Sequence, residues 1–135
     1  MKQEDYCSFE VAKLLKEKGF NEYCPLWYNL DKPTDGPLFY KEIGWYGHNS
    51  YDYIGKRIVS APTHQMALKW LREVHNIHIS VQPDYPSKTN YKLSWCWSVN
   101  MLHKDCFECK KHQSYIDTFE QAVGAAILYV LKNLI

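Results

Sequence analysis

Apolar residues recur every three or four positions in three stretches of the chain, and each stretch carries the end signals of a helix. In the first, 8–18, Val11, Leu14 and Leu15 form an apolar stripe with Glu10, Lys13, Lys16 and Glu17 opposite. Ser8 stands where a cap belongs, and Gly19 supplies a left-handed stop. The second stretch, 63–75, puts Met66, Ala67, Trp70, Leu71 and Val74 on one side and Gln65, Lys69, Arg72 and Glu73 on the other. Pro62 sits at its entrance, where a missing N–H costs little. The third begins at Thr118, with Gln121 at capping-box distance, and runs through Leu131 or beyond. Its wide apolar surface of Ala122, Val123, Ala126, Ile127, Val130, Leu131 and Leu134 predicts deep burial.

Two further stretches alternate with the period of a strand. Ile77, Ile79 and Val81 interleave with His78, Ser80 and Gln82. From Tyr91 to Val99, Tyr91, Leu93, Trp95, Trp97 and Val99 face one way while Lys92, Ser94, Cys96 and Ser98 face the other. Both patterns predict half-buried antiparallel strands, and the turn chemistry of 83–90 joins them as a hairpin. The span 21–60 is broken by Pro25, Pro33, Gly36, Pro37, Gly44, Gly47 and Gly55, which leaves short strands at 26–28, 38–43 and 51–59. The three helix openings, at Ser8, Thr63 and Thr118, are equally spaced and alike in composition. The strand regions between them do not align, so shared capping grammar is preferred to internal duplication.

These elements predict one α+β domain spanning residues 1–135. It has two layers, three helices packed on one face of an antiparallel sheet, in the order α-β-β(-β)-α-β-β-α. Trp70, Leu71, Ile79, Leu93, Trp95, Trp97, Ile127 and Leu131 are its expected core.

Composition adds little to the fold and something to the function. A length of 135 residues and a 46% hydrophobic share suit one globular core and exclude a disordered chain. Sixteen basic against fifteen acidic residues leave a net charge of +1, without the basic field of a duplex-binding domain. The opening segment is polar and lacks the apolar run of a secretory signal. The most apolar segment, 122–135, is interrupted by Lys132 and Asn133 and is shorter than the ~20 residues of a membrane span. Five cysteines, an odd number in a chain long enough to build a core, are read as reduced thiols of a cytoplasmic protein.

The segments Asp5-Tyr6, Ser8 to Glu10, Ala12 to Phe20, Ser60 to Thr63 and Gln65 to His75 carry a resemblance. So do Ala125 to Ile127, Tyr129, Leu131 and Asn133 to Ile135 at the end of the chain. Together they resemble short uncharacterised proteins of gut Bacteroides-type bacteria, often encoded in prophage-like or mobile elements. The resemblance implies a bacterial, cytoplasmic, phage-related accessory protein. It carries no activity and transfers no site residues.

Three constellations bear on chemistry. His103, Cys106, Cys109 and His112 have the ligand types and part of the spacing of a zinc knuckle, set against a polar loop with incidental Cys and His. Four ligands in one short segment would have to wrap tightly around the ion, so no metal and no cofactor are expected. Six histidines and five cysteines sit in no nucleophile elbow or catalytic signature, so an enzyme is not expected. His75 and His78, at the end of the second helix, suit a structural role as cations complementing the dipole. The aromatic run holding Phe39, Tyr40, Trp45, Tyr46, His48, Tyr51 and Tyr53 is interrupted by glycines. Its rings either alternate into the core of short strands or form a binding surface, for which Trp45, Tyr46, His48, Tyr51 and Tyr53 are the candidates. The expected function is a non-catalytic binding or accessory module whose partner is a protein, a second copy of the chain included. The alternative is a single-stranded nucleic-acid binder that stacks bases on the same rings.

Overall fold

The computed structural model describes residues 5–39, 47–49, 57–84, 93–103 and 106–135. The chain gathers into two compact units, Met1–Ala67 and Leu68–Ile135, with the boundary inside the second helix.

In the first unit, α1 (Phe9–Glu17) starts where Ser8 Oγ accepts the Val11 amide at 3.3 Å. It stops at Gly19, whose φ of 95° is left-handed, while the Phe20 amide returns to the Leu15 carbonyl. Among the described residues this unit holds three short strands, β1 (Leu26–Asn29), β2 (Leu38–Phe39) and β3 (Ile58–Ser60), antiparallel in the order β2-β1-β3. Leu26, Tyr28, Val59 and Ala61 pack with Tyr6 and Ala12 into a core, and Phe9 meets the Tyr28 ring edge-on at 5.7 Å. Tyr28 Oη donates to the Cys7 carbonyl at 2.8 Å, so this buried phenol has a partner. The leading segment is tied down by a Tyr6–Thr63 bridge and by the Cys7 amide on the Pro62 carbonyl.

Helix α2 (His64–His75) is capped by Thr63 Oγ1, which accepts the Met66 amide at 3.2 Å. A single residue, Asn76 at φ 55°, turns it into β4 (Ile77–Asp84). With β5 (Ser94–His103) and β6 (Cys106–Ile116), β4 forms an antiparallel meander in the order β4-β5-β6. The β4–β5 register is unbroken from Ile77↔Met101 to Asp84↔Ser94, which places Ile77, Ile79 and Val81 on the face of Val99 and Trp97. Helix α3 (Phe119–Asn133), capped by Thr118 on the Gln121 amide, lies across that face. Phe119 packs against Trp95 and Tyr129 against Trp97, with ring centroids 5.4 and 5.8 Å apart. Ala122, Val123, Ala126, Ile127, Val130 and Leu131 are buried beneath, the larger of them worth roughly 1.5–3 kcal/mol each.

The α+β class and the order of elements are as the periodicity predicts. The described strands are divided between two sheets, and β6 adds a strand where the sequence suggests a polar loop. The predicted Ser8 and Thr118 caps are in place and Thr63 caps α2, yet the two sheets differ in strand order, with β1 central in one and β5 in the other. Equal spacing of the helix starts therefore does not translate into two copies of one topology. One core expectation and one position of the α2 stripe are corrected. Leu93 is 54% exposed, because α3 begins over Trp95 and Leu93 lies one row further out, before the strand starts. Val74 is 60% exposed, and the ring of His75 instead lies edge-on against Trp70 at 4.7 Å. Ile79 and Trp95 are half-buried, while Trp70, Leu71, Trp97, Ile127 and Leu131 are fully inside. Among the described residues the buried Nε2 of His75 has no hydrogen-bond partner.

Candidate functional site

Gly47, His48 and Asn49 are held against the start of the first sheet by four separate devices. Asn49 is buried; its Nδ2 donates to the Phe20 carbonyl at 2.7 Å and its Oδ1 accepts the Ser60 amide at 2.8 Å. The Gly47 carbonyl accepts the Cys24 amide at 2.7 Å and Ser60 Oγ at 3.4 Å. His48 Nδ1 lies 2.8 Å from the Asn21 carbonyl, which can only accept, so Nδ1 is the donor of this bond. The Tyr23 ring tilts against His48 with centroids 5.8 Å apart. Only glycine fits at position 47: a Cβ there would run into Cδ2 and Cε2 of Tyr23 and come within 2.9 Å of the Cys24 carbonyl.

Beneath this clasp the thiols are inert. Burial, then the Glu22 charge, pushes the Cys24 thiol up to about 12 against the pull of a Ser60 hydrogen bond. Burial and the neighbouring Cys24 also push the Cys7 thiol up. Burial, with Cys7 beside it, holds the Tyr28 phenol at about 12. A thiol that stays protonated at neutral pH is neither nucleophile nor ready metal ligand, so Cys7 and Cys24 are packing residues.

Of the predicted surface, His48 is described and belongs to the clasp, whereas Trp45, Tyr46, Tyr51 and Tyr53 lie outside the described residues. The start of the aromatic run is described. Leu38 and Phe39 form β2, opposite Trp27 and Leu26, and both are exposed, Phe39 to 69%. Tyr23, in the connection between α1 and β1, is exposed as well. Tyr23 and Asn49 are members that sequence reasoning missed. Neither sits in a periodic stretch, and only the composition of Gly47-His48-Asn49, three residues suited to turns and polar contacts, hints at them.

The knuckle constellation falls on the meander. Cys106 faces His103 in register, Cys109 faces Asn100 and His112 faces Ser98. Three residues of extended strand separate the Cys106 and Cys109 backbones by roughly 10 Å. Among the described residues no three His, Cys, Asp or Glu come together as a metal site. Among them too, no helix is long and apolar enough to cross a membrane.

No family model, curated protein or solved structure matches the chain.

Proposed function

We propose that this chain is a non-catalytic binding protein that acts through protein–protein contacts, with its docking surface in the first unit. The carrying observation is the bare apolar pair Leu38 and Phe39 at the edge of a small sheet, with exposed Tyr23 beside the clasp of Gly47, His48 and Asn49. Large exposed apolar side chains on an anchored scaffold are the raw material of an interface centre. The clasp anchors Gly47, His48 and Asn49 at the middle of the aromatic run. Binding residues are commonly carried this way, on connections held by a rigid frame. The near-neutral charge favours a protein over nucleic acid as partner. A bacterial, cytoplasmic accessory role linked to mobile elements fits the family resemblance and belongs to the same proposal.

The test is the Leu38→Lys/Phe39→Lys variant, checked by circular dichroism for an intact fold. It is then compared with the parent in light scattering and in affinity capture from the host, with and without nuclease. The expected result is a nuclease-resistant protein complex or a self-complex that the double variant weakens at least tenfold. A strictly monomeric chain that retains only nucleic acid, with affinity falling steeply as salt rises, sinks the proposal in favour of the stacking alternative.

A further inference from the structure

We draw no further inference here: the strongest candidate, the apolar shelf of Leu93, Tyr115 and Phe119 at the end of the second sheet beyond the start of α3, stands exposed, and nothing in the structure shows what covers it.

Discussion

Asn49 shows how much one side chain can fix. Its amide bonds a carbonyl after α1 and an amide in β3, two backbone groups far apart in sequence. Asn49→Ala removes both of these buried bonds, and each such loss costs about 1–3 kcal/mol. The expected outcome is a drop of about 2–4 kcal/mol in urea denaturation, with the slope unchanged; a loss below ~0.5 kcal/mol would show that water replaces both bonds. The thiols give a second residue-level expectation. Cys7 and Cys24 are held above the ordinary thiol value of 9.0, so their protonated forms are favoured in the fold. Their contribution to stability is whole below pH 9 and is lost as pH rises towards 12. Urea midpoints should be flat from pH 7 to 8.5 and fall above pH 9, by up to about 1.4 kcal/mol per pH unit per group. A Cys7→Ala/Cys24→Ala variant should be less stable at neutral pH and show a shallower alkaline decline. At this scale the sequence is an uneven guide. Trp97 and Ile127 announce their burial through periodicity, whereas a polar core residue such as Asn49 has no periodic signature and becomes meaningful only once Phe20 and Ser60 flank it.

Among the elements, β6 explains why some structure stays hidden from pattern. Its pairing with β5 slips between Trp95 and Trp97 and again between Val99 and Asn100. Each extra residue flips the phase of alternation, so a strand with two slips has no readable period of two. Its exposed row of Glu108, Lys111 and Gln113 is the polar dress of an edge strand, and Lys110 pairs with Glu108 at 2.7 Å. At the far end of β6, Tyr115 takes a φ of 63°, and its amide donates to Asp84 Oδ2 at 3.4 Å, reaching past β5 to the other edge of the sheet. A left-handed backbone costs a non-glycine residue roughly 1–2 kcal/mol, and the exposed Tyr115 ring recovers little of it by burial. Tyr115→Gly should therefore raise stability by about 0.5–1 kcal/mol, after the entropy of glycine in the unfolded chain is set against the relief. A thermal melt reads this directly, and a clear destabilisation would mean that the Tyr115 side chain contributes contacts its exposure does not suggest. The helices, by contrast, were legible to within a residue or two. Cap, stripe and stop are all local, and Ser8, Thr63 and Thr118 each close the bond that their position implies.

Across the whole molecule the charge is nearly balanced, with a pI near 7.6. A chain near its isoelectric point lacks the self-repulsion that keeps exposed apolar surface apart. Concentration-dependent association, followed by light scattering at low salt, should thus peak near pH 7.6 and weaken by pH 6 and pH 9. Association insensitive to pH would point to specific contacts rather than to the absence of charge. The class and element order of the molecule could be read from the sequence, because three amphipathic helices and alternating strands admit few arrangements. The division of the strands into two sheets could not, since it depends on which strand lies in the middle, and hydrophobic period carries no record of neighbours.

That difference in strand order has a consequence in time. The meander β4-β5-β6 joins strands that follow one another along the chain, the last pair meeting as close as His103 and Cys106. The first unit must bring Tyr6 to Thr63 and set β1 between strands drawn from both sides of the clasp. Closing a long loop takes entropy before any contact rewards it, so sheets of distant partners form more slowly than sheets of neighbours. The half of the chain made second is therefore the half placed to fold first, and the earlier half waits for β3 to arrive beside β1.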